Sequence, residues 1–168
     1  MSVIETPGNN CDQSFEQIVN LYQEVLLRVC YTYLGDEEQA KDVVQDTFLK
    51  AYKARSSFRG ECSEKTWLIQ IALNTCRSIW RSAWYRHVDR NITPDQIPGI
   101  FYMDSDDDLE IMCEIMKLSP KLKEVIVLYY WKDMNISEIA KTLGLSRSTV
   151  SNRLKCARDK LRILMKRE

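Results

Sequence analysis

Between residues 15 and 33, apolar side chains recur at Phe15, Ile18, Val19, Tyr22, Leu26, Val29 and Tyr33. Steps of three and four predict one long amphipathic helix. Gly35 stops it, and Asp36 is the expected N-cap of a second helix, with Gln39 three residues on. That helix turns Ala40, Val43, Val44, Thr47, Phe48, Ala51 and Tyr52 inward. Its other face shows Asp42, Gln45, Asp46, Leu49 and Lys53. The stretch SSFRGECS (56–63) reads as a loop. Ser63 or Glu64 opens a third helix, which runs to about residue 84 and packs through Leu68, Ile71, Ala72, Thr75 and Ile79. Along its opposite face lie Gln70, Asn74, Arg77 and Arg81, two amides and two arginines in a row.

The pattern then breaks. Residues 86–108 hold two prolines, a glycine and an acidic run, with no periodicity, and read as a linker or loosely docked segment. Helical spacing resumes near residue 109 with Leu109, Met112, Cys113 and Met116. Ser119 and Pro120 mark a short break, with Pro120 in a helix first turn. The helix over 121–132 carries Leu122, Val125, Ile126, Leu128, Tyr129 and Trp131 as its apolar positions. Residues 137–161 fit a helix-turn-helix. Ser137 caps a short helix with Ile139, Ala140 and Leu143 inward, and Gly144 ends it in a left-handed conformation. Leu145 plugs the corner. Ser146 then caps a second helix whose inner face is Val150, Leu154, Ala157 and Leu161.

Composition adds limits. A chain of 168 residues with 45% apolar content has enough material for one ordinary domain or two small ones. No apolar run approaches the roughly 18 residues needed to cross a membrane. MSVIETPGNNCDQ has no signal-peptide character, so the chain is expected in the cytoplasm, without stable membrane insertion. The six cysteines form no C-x-x-C pair, and His87 is the single histidine. A sequence-local zinc site is therefore not expected, and the cysteines read as small, reduced, semi-buried residues. No nucleophile–base pair or ligand cluster stands out, so no catalytic residue, metal or cofactor is predicted and the chain is not read as an enzyme.

The net charge of zero conceals a pattern. Residues 1–54 carry 4 basic and 9 acidic residues, and 55–90 carry 7 and 3. Residues 91–108 carry 5 acids and no base, and 109–168 carry 13 basic and 7 acidic residues. Two basic blocks separated by acidic ones point to two anion-facing surfaces.

The second basic block supplies suitable chemistry. Arg147, Ser148, Ser151, Asn152 and Lys155 face outward on the last helix. Short polar side chains and arginine at the start of a recognition helix reach base edges, and later basic residues meet phosphates. A helical hairpin with a solvated basic face fits the same periodicity. The third helix reads in the same terms: amides for base edges, arginines for phosphates. An ordinary solvated face is the other reading, but such a face usually mixes in acids for i,i+4 pairs, and none occurs between Lys65 and His87.

The combination resembles a known family. DVVQDTFLKAYKARSSFRGECSEKTWLIQIALNTCRSIWR is similar to region 2 of bacterial RNA polymerase sigma factors. LSPKLKEVIVLYYWKDMNISEIAKTLGLSRSTVSNRLKCARDKLR is similar to region 4. With only these two modules, the chain resembles the extracytoplasmic-function group of the sigma-70 family. The resemblance implies an all-α protein of two small helical domains joined by a flexible linker. Region 2, a bundle of three to four helices, spans 14–84; the linker is 85–108; region 4, with the helix-turn-helix, spans 109–168.

The resemblance also implies roles. Asp42, Gln45, Asp46 and Leu49 are expected to meet the clamp coiled coil of the polymerase β′ subunit. Phe58, Arg59, Gly60, Gln70, Asn74, Arg77 and Arg81 are expected at the −10 element, with Phe58, Arg59, Gly60 and Asn74 around a flipped base. Arg147, Ser148, Thr149, Ser151, Asn152, Arg153 and Lys155 are expected at the −35 element. Thr149 has an alternative part in capping its helix, and Arg153 an alternative contact to phosphate. Trp67 is expected in the core. Implied partners are core RNA polymerase, including its β flap, promoter DNA and an anti-sigma factor. Ser78 departs from the family, many of whose members carry an Asp at that place. Two other readings stand beside this one: a stand-alone helix-turn-helix regulator, and a scaffold that binds polymerase without reading DNA.

Overall fold

The computed structural model of the protein describes residues 9–82, 93–99, 106–131 and 134–165. Every regular element among them is helical. The first half contains α1 (Asn9–Leu34), α2 (Glu37–Ala54), a 3₁₀ turn (Arg55–Ser57) and α3 (Glu64–Arg81). The expected stops and starts are in place. Gly35 has φ of 72°. Asp36 accepts the Gln39 backbone N–H at 2.8 Å, and Ser63 accepts that of Thr66 at 3.1 Å. Each such cap contributes about 1 kcal/mol by satisfying a donor that the helix leaves unpaired.

The second half contains α4 (Asp106–Lys117), α5 (Pro120–Ile126), a wide π turn (Val127–Trp131), α6 (Ile136–Leu143) and α7 (Arg147–Met165). Two expected boundaries move. The start of α4 lies at Asp106, so three aspartates assigned to the linker form its first turn, where negative charge complements the helix dipole. The cap of α6 is Asn135, not Ser137. Asn135 accepts the Glu138 N–H at 3.0 Å, and Glu138 accepts the Asn135 N–H at 2.8 Å. This reciprocal pair satisfies two orphan donors, which Ser137 in that place has no acid to match. Gly144 then takes the expected left-handed conformation, φ 64° and ψ 38°.

The two helical units pack against each other through one continuous core. The last turns of α1 are buried all round, from Val29 to Leu34. On one side they meet α2 and α3; on the other they meet α4 and α5. Part of the expected linker docks there too: Tyr31 donates its hydroxyl to the Gln96 carbonyl at 3.3 Å, and Ile97 packs against the core. The linker's residues 85–92 and 100–105 lie outside the described residues. So does the expected end of α3 at 84.

This packing rotates the buried face of α3. Its fully buried residues are Leu68, Ile69, Ala72, Leu73 and Cys76, while Ile71, Thr75 and Ile79 are half-buried. The second unit covers a flank that the lone helix would show to water. Likewise, α5 is buried from Leu122 to Ile126, and Lys123 and Glu124 are 1% and 4% exposed. Cys30, Cys76 and Cys113 are buried thiols, used as small core residues. Among the described residues no helix is long and apolar enough to cross a membrane.

Candidate nucleic-acid interface

Three surfaces carry the predicted residues. The first is the start of α7. Ser146 accepts the Thr149 backbone N–H at 3.2 Å, and its hydroxyl also pairs with those of Ser148, at 3.0 Å, and Thr149, at 2.8 Å. Thr149 thus belongs to the cap and is half-buried. Arg147, Ser148, Ser151, Asn152 and Lys155 are exposed along one side. Beneath them Val150, Leu154 and Ala157 anchor the helix. Arg147 also borders an open groove of about 650 Å³, shared with Tyr129, Met134, Asn135, Ile136 and Ser137. Behind the helix, Arg158 lies over the Tyr129 and Tyr130 rings and donates to the Tyr130 hydroxyl at 2.8 Å.

The second surface is the loop before α3. Gly60, at φ 71°, makes a turn that costs an L residue about 1–2 kcal/mol. The chain then doubles back, so Phe58 stacks on Trp67 with ring centroids 4.7 Å apart. Trp67 is half-buried, at the edge of the core. On one side of the stack is a hollow of about 350 Å³ lined by Ser57, Phe58, Arg59, Glu61, Cys62, Trp67 and Gln70. On the other side is an apolar hollow of about 420 Å³ toward Phe15, Ile18 and Leu68. Phe58, Arg59 and Gln70 therefore converge, with Gly60 shaping the turn. Asn74 lies one helical turn further along and is exposed.

The row Gln70–Asn74–Arg77–Arg81 does not stay whole. Asn74 and Arg81 are exposed. Gln70 donates to the Lys141 carbonyl of α6 at 3.5 Å. Arg77 faces Glu124 of α5, with Nε 2.7 Å from Oε1 and Nη2 3.1 Å from Oε2. Here Arg77 meets a carboxylate in place of the expected DNA. A forked guanidinium satisfies a buried carboxylate better than any single donor. The bond to Glu124 raises the Arg77 pKa. Burial, and then the neighbouring Glu124 charge, push the Tyr33 phenol above its ordinary range. Arg153 of α7, expected at DNA, is also half-buried, with Nη1 3.9 Å from Glu124 Oε2. Glu124 was not singled out from the sequence. Its partner lies 47 residues away, and locally it is one more charge beside Lys121 and Lys123.

The third surface is the exposed face of α2. Asp42, Gln45 and Leu49 are open to solvent, Leu49 at 53%. Asp46 is partly covered and pairs with Lys50 at 2.6 Å. Lys50 in turn donates to the Thr75 hydroxyl at 3.0 Å, which ties this face to α3.

The chain is similar to known proteins over both halves. Residues 18–86 match Sigma-70 region 2, and 115–162 match Sigma-70 region 4. The chain is 29% identical to the ECF RNA polymerase sigma factor SigW of Bacillus subtilis, over 89% of this chain and 87% of that one. It is 32% identical to the ECF RNA polymerase sigma factor SigL of Mycobacterium tuberculosis, over 86% of each. CnrH, solved in complex with the cytosolic domain of CnrY, is 30% identical, with a TM-score of 0.69 over 95% of this chain and 90% of that one. These matches do not favour the stand-alone regulator. The chain belongs to the extracytoplasmic-function group of the sigma-70 family and is a sigma factor of promoter-directed transcription initiation.

Proposed function

We propose that this sigma factor binds core RNA polymerase through α2 and reads promoters at two elements. Residues 14–84 act as region 2 and 109–168 as region 4, with 85–108 between them. Asp42, Gln45, Asp46 and Leu49 meet the β′ clamp coiled coil. The hollow beside Phe58, Arg59 and Gln70, with Gly60 turning the loop and Asn74 adjoining, takes the unpaired −10 strand. Arg77 and Arg81 hold its phosphates. Capturing an extruded base offsets an unpairing cost of a few kcal/mol. Arg147, Ser148, Ser151, Asn152 and Lys155 enter the −35 major groove, Thr149 caps their helix and Arg153 meets phosphate. Region 4 also touches the β flap.

In this reading the chain makes and breaks no covalent bond itself, and it works in the cytoplasm. A protein of the anti-sigma class is a further partner; the relative CnrH was solved with the cytosolic domain of CnrY. The observation that carries the proposal is the row of exposed polar residues from Arg147 to Lys155 on a capped, core-anchored helix. Footprinting of the chain with core polymerase, on a fragment that it transcribes, tests it. Asn152→Ala is expected to lose upstream protection, and Asn74→Ala to lose strand opening. Unchanged footprints in both variants contradict it.

A further inference from the structure

Glu124 sits at the meeting point of four helices, with Tyr33 of α1 beside it. It belongs to α5, is 4% exposed, and accepts a forked bond from Arg77 of α3 at 2.7 and 3.1 Å. Arg153 of α7 approaches the same carboxylate at 3.9 Å. One buried acid thus engages an arginine from each of the two proposed DNA-reading helices. A carboxylate and a phosphate draw on the same guanidinium donors with the same forked geometry. While Glu124 holds Arg77, that fork is closed to DNA.

Distance makes the conflict sharper. Elements centred at −10 and −35 lie about 25 base pairs apart, or about 85 Å of B-DNA at about 3.4 Å per step. Here the two arginines lie within 4 Å of one side chain. This conformation cannot reach both elements, so α3 must separate from α5 and α7 before promoter binding. Both charges recover hydration when the units part, whereas removing one partner alone leaves the other buried and uncompensated and so weakens the closed state. The Gln70 bond to the Lys141 carbonyl, at 3.5 Å, adds little.

We infer that Glu124 is an internal stand-in for DNA phosphate, latching the two DNA-reading helices together in a closed state of the free protein. The inference rests on the proposed roles of Arg77 and Arg153. It places the control of DNA access within the chain, in addition to any partner protein. DNA then competes with one carboxylate for both arginines.

The test uses the full chain without polymerase. A fluorescein-labelled 30-base-pair duplex of mixed sequence reports affinity by anisotropy at fixed salt, and small-angle scattering reports size. Glu124→Gln is expected to bind roughly tenfold tighter, the gain if closed molecules outnumber open ones about ten to one. Its radius of gyration is expected to rise by several ångströms from about 15 Å, the value for a compact chain of this length. Glu110→Gln, an exposed change of equal charge on α4, is expected to change neither. Adding Arg153→Gln to Glu124→Gln is expected to remove part of the gain. If Glu124→Gln fails to fold, Glu124→Asp keeps the charge but withdraws it by one methylene, and a smaller shift in the same direction is expected.

Unchanged size and affinity in the Glu124 variant overturn the latch, while the assignment of the DNA surfaces stands. An equal affinity gain from Glu110→Gln overturns it too, as a general charge effect. Expansion without any gain in affinity, and with Arg153→Gln silent, means the arginines do not bind DNA. That result overturns the assigned surfaces and the competition together.

Discussion

Phe58 and Trp67 lie with their rings 26° from parallel, and the stack divides two hollows on the first helical unit. Phe58 comes from the loop and Trp67 from the first turns of α3, so the stack fixes the loop to the helix. Trp67 also packs on the core, whereas Phe58 serves mainly as a wall. Trp67→Ala is expected to cost about 3 kcal/mol of stability. Phe58→Ala is expected to cost about 1 kcal/mol. Urea melts separate the two. In permanganate probing of holoenzyme–promoter complexes, Phe58→Ala is expected to lose open-strand signal while the protein remains folded. Full strand opening by that variant contradicts the assigned wall.

Leu49 is an apolar residue open to solvent on α2, whereas Asp46 has Lys50 beside it. Leu49→Arg is therefore expected to change stability by less than about 0.5 kcal/mol. Co-purification with core polymerase is expected to fall sharply. Asp46→Arg is expected to act in the same direction, with a small extra stability loss from an arginine placed next to Lys50. Normal co-purification of Leu49→Arg counts against the α2 surface.

Ser146 organises the start of α7 through Thr149. Ser146→Ala is expected to lower stability by about 1 kcal/mol. It is also expected to weaken −35 protection more than −10 opening, because only the first turn of α7 loosens. Thermal melts and footprints read the two effects. Equal loss at both elements points to general unfolding of the second unit instead.

Two tyrosines make stability sensitive to alkali. Burial, aided by nearby acids, pushes the Tyr31 phenol from 10.0 to about 12, and Tyr33 is shifted in the same direction. The folded state therefore keeps its protons where the unfolded chain has released them. Stability from this source is intact below pH 10 and lost as pH rises toward 12. Melting temperature across pH 9–12 is expected to fall more steeply in the natural protein than in Tyr31→Phe. Identical slopes contradict the assignment.

Much of this was legible because it is local. Apolar spacing and the caps Asp36, Ser63 and Ser146 depend on residues three or four apart, as does the Gly144 stop. The α6 start at Asn135 was within reach, since Asn135 and Glu138 form a capping pair. What escaped is long-range. The rotated core face of α3, the burial of Lys123 and Glu124 and the capture of Arg77 all follow from docking one unit on the other. Periodicity within a helix has no access to that. The lack of an acid along the arginine face of α3 points to nucleic acid when the helix is taken alone; in the closed protein the acid is supplied by α5.

The most direct measurement is run-off transcription from fragmented genomic DNA with purified core polymerase. Discrete transcripts are expected only when the chain and core polymerase are both present, and are expected to be lost with Asn74→Ala or Asn152→Ala. Specific promoter binding by the chain alone, with no new transcripts on adding core polymerase, would contradict the proposed function.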